Sequence, residues 1–208
     1  MTHPPPHVVG PERDWLENYF QGRIGKLLEI GAHTSDNHSL TAGLIARGWE
    51  AVLVEPNPHC FLKLLEQHSA NPRVQLVHAA IGPTAGLHRF WDDGGGEVST
   101  LSPEHAATFR CNAQTPYREY WLPVLEPFAL LEGLGGYKGW TLIVIDAESM
   151  TGPILDNLPQ HLLVGFGNEV LLVEADLGGV AEIVTHLQSC YTVAECLPPN
   201  VIAVAKRL

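Results

Sequence analysis

Positive charge is what this sequence has least of. Twelve Lys and Arg stand against twenty-three Asp and Glu, a formal net charge of −11 with histidine neutral. A nucleic-acid backbone would be repelled over most of such a surface, so nucleic acid is not an expected partner. Cysteine is sparse as well: Cys60, Cys111, Cys190 and Cys196 form no C-x-x-C pair, which points to reduced packing residues and away from a disulfide or metal set. No apolar run reaches the roughly 20 residues of a membrane span. The opening MTHPPPHVVGPERDW lacks a basic segment followed by an apolar one. No membrane association and a cytoplasmic location are the expectations. The histidines, eleven of them, are scattered without an H-E-x-x-H spacing. The run Gly94 to Gly96 has neither the Lys nor the Ser/Thr of a phosphate-binding P-loop.

What is present is enough hydrophobic residue, 45% of 208 positions, for one well-buried domain. Residues 1–10 are proline-rich and read as a flexible tail, with a single domain over 11–208. Pro11-Glu12 suits a helix start, and Trp15, Leu16, Tyr19 and Phe20 share one side of that helix, which either packs on the core or covers a pocket. Strand-like and helix-like runs then alternate: KLLEI, a helix around His38 to Arg47, AVLVE, a helix from Pro58 to His68, and VQLVHAAI. This rhythm predicts an α/β fold with a doubly wound, mostly parallel sheet. Over about 86–126 it breaks. LHRFW and YWLPVLEP read as short strands around a flexible glycine loop, a small β insertion. WTLIVIDAES, a short helix near Pro153 to Leu158, EVLLVEAD and a helix from Val180 to Cys190 resume the pattern. TVAECL and VIAVAKR close it as an antiparallel hairpin.

A parallel sheet binds its ligand beyond the carboxyl ends of its strands, so the residues after Ile30, Val54, Ala80 and Ile145 should converge. At the first tip Gly31 opens E-I-G-A-H-T-S-D, where a dinucleotide would need G-x-G-x-x-G for its pyrophosphate. Asp36 at the helix start would repel a diphosphate and attract an ammonium group, unless it serves only as an N-cap. The turn favours a nucleoside without phosphates, and S-adenosylmethionine fits. At the second tip Glu55 can accept hydrogen bonds from two ribose hydroxyls. At the fourth, Asp146 and Glu148 would face the same way if the strand stays extended. Two carboxylates there suit a base with a positioning acid, a shared proton, a divalent cation such as Mg²⁺, or a helix cap. His33 is either a local hydrogen-bonding residue or a base.

LLEIGAHTSD, VLVEPNP, VHAAIG, VSTL and VIDAES, in this order over about residues 25 to 176, resemble the FkbM-type family of class I S-adenosylmethionine-dependent methyltransferases. The resemblance implies a Rossmann-like class I methyltransferase fold. It implies that Gly31, His33 and Asp36 line the methionine end of the cofactor, Glu55 the ribose, and Ala79, Ala80 and Ile81 the adenine edge, with Glu29, Ala32, Pro56 and Asp146 also at the cofactor site. The family shows G-A-N-x-G-D where this chain has Gly31 to Asp36, and I-D-V-E-G where it has Ile145-Asp146-Ala147-Glu148-Ser149. The expected activity is methylation of a hydroxyl on a small molecule or glycan, with Asp146 as base or cation holder, Glu148 assisting and His33 as a further titratable group. Ser99 and Thr100 should border the cleft without a chemical role, and Glu174 should seal the sheet's rim. The competing readings are an NAD-type nucleotide-binding oxidoreductase and an inactive methyltransferase-like interaction module.

Overall fold

Three apolar runs, KLLEI, EAVLV and LIVI, are buried along nearly their whole length, which only a strand covered on both faces permits. The computed structural model describes residues 10–35, 39–136, 139–158, 169–175 and 179–206. The first half contains α1 (Pro11–Tyr19), β1 (Lys26–Ile30), α2 (Ala42–Ala46), β2 (Glu50–Val54), α3 (Pro58–His68), β3 (Val74–Val77) and β4 (Ala80–Ile81). There follow β5 (Gly86–Asp92), α4 (Pro103–Thr108), β6 (Arg118–Leu125) and α5 (Pro127–Gly133). The chain ends with β7 (Leu142–Ile145), α6 (Thr151–Asp156), β8 (Val170–Glu174), α7 (Val180–Leu187), β9 (Tyr191–Leu197) and β10 (Asn200–Ala205).

Seven strands form one sheet in the order β3-β2-β1-β7-β8-β10-β9, and three form a small second sheet, β4-β6-β5. The run from β3 to β8 is parallel, while β10 is antiparallel to both β8 and β9. The order reverses at β1, where successive crossovers leave for opposite edges, and this is where a doubly wound sheet opens a crevice. Alternation along each strand feeds two cores. Leu28, Ile30, Val52, Val54, Ile143 and Ile145 pack on one face with Leu130, Ile154, Leu155 and Ile183. Leu27, Leu53, Leu142 and Val144 pack on the other with Leu16, Phe20, Leu44 and Leu64.

The structure settles the role of α1: Leu16 and Phe20 are fully buried, and Phe20 meets Trp49 edge to face at 4.8 Å between ring centroids. The helix is core, not a lid. Its Glu12 is also buried and accepts a hydrogen bond from Asn200 Nδ2 at 3.1 Å, which joins the helix to the closing hairpin.

Three expectations need correction. VQLVHAAI is not one strand: it breaks at His78-Ala79, and Ala80–Ile81 leave the main sheet to pair with Val124–Leu125 of β6. The glycine loop is pinned, not flexible, for reasons given below. The second helix begins at Ala42 among the described residues, because Ser39 Oγ already accepts the backbone N–H groups of Thr41 and Ala42 in a turn before it. The proline-rich tail, up to residue 9, and His38 lie outside the described residues. All four cysteines are free thiols; Cys60 is buried, but Cys111 and Cys196 are exposed and so are not the packing residues expected. Among the described residues no helix is long and apolar enough to cross a membrane.

Because Phe20 fills a closed space between helix and sheet, Phe20→Ala should lower unfolding free energy by about 3 to 5 kcal/mol in urea titrations. A loss below about 1 kcal/mol would contradict a core role for the helix.

Candidate active site

The tips of β1, β2 and β7 are laced together by main-chain hydrogen bonds: Gly31 N–H to Val54 O at 2.9 Å, Glu55 N–H to Val77 O at 3.0 Å and Asp146 N–H to Ile30 O at 2.9 Å. Gly31 sits at φ +84°, and a Cβ there would lie 1.6 Å from the carbonyl oxygen of Asp146. Only glycine fits this crossing. A single cleft opens above it, lined by Glu29, Gly31, Ala32, His33, Glu55, Pro56, Ala79, Ala80, Ile81, Asp146 and Glu148. All the sequence-predicted residues therefore converge except Asp36, which lies outside the described residues.

Glu55 is held rigidly at the tip of β2. Its Oε2 accepts the N–H of His33 at 2.7 Å and its Oε1 the N–H of Asn57 at 2.6 Å. Burial raises its carboxyl to about 7; the two backbone hydrogen bonds oppose the rise, and the charges of Asp146 and Asp93 add to it. Glu29 is deeper still. Burial pushes it to about 8, against a hydrogen bond from Thr41 Oγ1 to its Oε2 at 2.6 Å and with reinforcement from Asp146 and Glu55. Two carboxyls raised by burial, with neighbouring acids adding to the rise, in one cleft whose described walls carry no Lys or Arg make a site that gains by taking in positive charge. His33, at φ +49°, has ring nitrogens 3.3 Å from Gly95 O and 3.3 Å from Thr34 Oγ1, so both sides of the ring meet protein partners.

Beyond β7 the chain does not stay extended. Glu148 and Ser149 adopt φ values of +44° and +70°, so Asp146 and Glu148 are brought together by a left-handed turn and not by strand alternation. The outcome expected from the sequence survives by another route. Carboxylate oxygens of Asp146, Glu148 and Glu174 all lie within 4.8 Å of one another. These are hard oxygen donors of the kind that hold Mg²⁺ or Ca²⁺. Glu174 lines both this cleft and a second pocket bounded by α6 and α7, so its position exceeds that of a rim seal.

The insertion supplies a wall that the sequence reading treated as loose. Asp92 and Asp93 are buried. Asp92 Oδ1 accepts from Gly94 N and from Asn57 Nδ2, at 2.7 and 2.8 Å. Asp93 accepts from Gly96 N at 3.0 Å and from Ser99 Oγ at 2.6 Å. These bonds fasten the glycine loop at the cleft, where Gly96 and Glu97 form part of the lining. Thr100 pairs with Trp91 and donates from Oγ1 to Glu148 O at 2.7 Å, which ties the insertion to the acidic turn. Ser99 and Thr100 thus border the cleft, as expected. Asn57, Asp92, Asp93 and His105 were missed. The usable signal was a pair of aspartates directly before a glycine run, a pattern suited to loop capping.

No family model matches the chain, and no curated protein matches it. Solved structures do. Over 98% of its length the chain superposes on monomeric WbdD at a TM-score of 0.55 with 9% identity, spanning 43% of that longer chain. It covers the putative methyltransferase yhhF from Escherichia coli at 0.54 with 12% identity, over 100% of this chain and 90% of the other. The methyltransferase domain of METTL16 aligns at 0.55 with 12% identity, over 99% of this chain and 71% of that one. The fold is that of the class I methyltransferases. The likeness reaches the class I fold in general and does not single out the FkbM type.

Asp93→Ala would strand the donors of Gly96, Val98 and Ser99, which are partly buried. It should cost about 2 to 4 kcal/mol of stability and accelerate amide exchange at residues 94–99 in hydrogen-exchange mass spectrometry. Unchanged exchange there would show that the loop is held by something else.

Proposed function

We propose that the protein is an S-adenosylmethionine-dependent methyltransferase acting on a hydroxyl of a small molecule or glycan. The observation that carries this is the meeting of Gly31, Glu55 and the Asp146–Glu148 turn in one acidic cleft at the sheet's reversal point. S-adenosylmethionine supplies an activated methyl group on a sulfonium. The residues that would hold it are Gly31 to His33 at the methionine end, Glu55 at the ribose hydroxyls and Ala79 to Ile81 along the adenine face. A dinucleotide would bring a diphosphate against Glu29, Glu55, Glu97 and Asp146 with no Lys or Arg on the cleft wall to meet it, which argues against the oxidoreductase reading.

Methylation of a hydroxyl would require the acceptor's proton to leave. Asp146 would take that proton, or would share with Glu148 and Glu174, whose oxygens lie within 4.8 Å of its own, a divalent cation that acidifies the hydroxyl. In-line positioning supplies much of the remaining rate.

Two experiments test this reading. Glu55→Gln should weaken S-adenosylmethionine binding by about 1 to 3 kcal/mol in calorimetry. For the wild type, affinity should be at least about tenfold higher at pH 8 than at pH 6, because Glu55 must lose a proton held up to about 7, and the ratio grows further where Glu29, held up to about 8, must lose one as well. Stability of the free protein moves the other way. A raised carboxyl stabilises the fold below its ordinary 4.5, and that contribution disappears as pH climbs through 7 to 8. A flat affinity profile would remove both carboxyls from the binding role.

Asp146→Asn, assayed by labelled methyl transfer across a panel of sugars, phenols and diols, should lower turnover by ~10² to 10⁴ with little change in cofactor affinity. Loss of wild-type activity in EDTA and its return with Mg²⁺ would assign Asp146 to a cation. Indifference to EDTA would assign it to direct proton transfer. Raised cofactor Kd with intact saturated turnover would move it to cofactor binding.

A further inference from the structure

His105 is carried by α4, in the insertion, and is buried to 1% exposure against the acidic turn. Its Nδ1 lies 2.8 Å from Ser149 Oγ, and its Nε2 lies 2.9 Å from Glu148 Oε2. A nitrogen lone pair cannot rest 2.9 Å from a carboxylate oxygen without repulsion, so Nε2 carries a proton, and Nδ1 pairs with the Ser149 hydroxyl. In the structure the Nε2–H direction is off the line of a full hydrogen bond, and the carboxylate is its nearest charged neighbour.

From this arrangement we propose that His105 is a positioning residue for the methyl-transfer site: with Ser149 it fixes the Glu148 carboxylate beside Asp146. The proposal rests on the methyltransferase reading for its purpose and on the geometry alone for its existence. It explains two costs that the fold would otherwise bear without return. Glu148 and Ser149 are non-glycine residues in left-handed conformations, at φ +44° and +70°. Glycine in place of Ser149 would relieve the backbone but would leave His105 Nδ1 with no hydroxyl. The segment carrying His105 is itself anchored: Ser102 Oγ accepts the His105 N–H at 3.1 Å, and Thr100 Oγ1 donates to Glu148 O at 2.7 Å. The imidazole is further stacked on Phe109, ring centroids 4.3 Å apart. The ring is therefore clamped on each side before it meets Glu148.

The test combines ring ¹⁵N nuclear magnetic resonance with four substitutions. In the wild type near pH 7 His105 Nε2 should carry a proton, and Glu148→Gln should shift that nitrogen's resonance. His105→Leu should lower methyl transfer about 10- to 100-fold while S-adenosylhomocysteine affinity changes less than twofold. His105→Gln, whose amide can still donate toward Glu148, should recover most of that loss. Ser149→Gly should be at least as stable to heat as the wild type and yet less active, which a purely structural role for the serine does not predict. An Nε2 without a proton, a ring indifferent to Glu148→Gln, or full activity in His105→Leu would overturn the proposal. Parallel loss of cofactor affinity and activity in His105→Leu would also overturn it, by making His105 part of the scaffold. Failure of the wild type to bind S-adenosylhomocysteine would instead sink the methyltransferase reading, and the tautomer measurement would still decide whether the His105–Glu148 arrangement exists.

Discussion

The close crossing of Gly31 over the carbonyl of Asp146 is the constraint on which the site depends. With a Cβ position only 1.6 Å from that oxygen, the tips of β1 and β7 touch backbone to backbone. The contact draws the first turn and the acidic turn to opposite walls of one narrow cleft. The hydrogen bond from Gly31 N–H to Val54 O brings the tip of β2, and with it Glu55, to the same place. A larger residue would part the strands and open to solvent the tips where burial, more than neighbouring charge, raises Glu29 and Glu55.

Around this crossing the molecule gathers negative charge where most proteins avoid it. The compensation is local: backbone amides of His33 and Asn57 on Glu55, Thr41 on Glu29, and an array of amides and hydroxyls on Asp92 and Asp93. A site built this way suits a cationic ligand and stands ready for it. The insertion then acts as more than decoration. It lines part of the cleft through the aspartate-capped glycine loop and reaches the acidic turn through Thr100 and His105.

The main sheet could be read from sequence because KLLEI, AVLVE and LIVI are continuous apolar runs bounded by glycine and proline, and such runs have few alternatives to a two-sided buried strand. Gly31 and Glu55 were legible for a related reason: a residue at a strand tip inherits its place from the strand. What was not legible depends on tertiary pairing. Nothing local in VQLVHAAI says that Ala80–Ile81 will leave the sheet for β6. Asp146 and Glu148 were expected together through strand alternation, yet a left-handed turn accomplishes it. His105 lies 44 residues from Ser149 along the chain, and only the folded insertion brings them into contact.

The central claim is that this acidic cleft is made for a cationic nucleoside. Calorimetric titration of the wild-type protein with S-adenosylmethionine and, separately, with NAD tests it most directly. The account predicts saturable one-to-one binding of S-adenosylmethionine, weakened as pH falls below 7, with no measurable heat of binding for NAD. Binding of NAD with none of S-adenosylmethionine would contradict it.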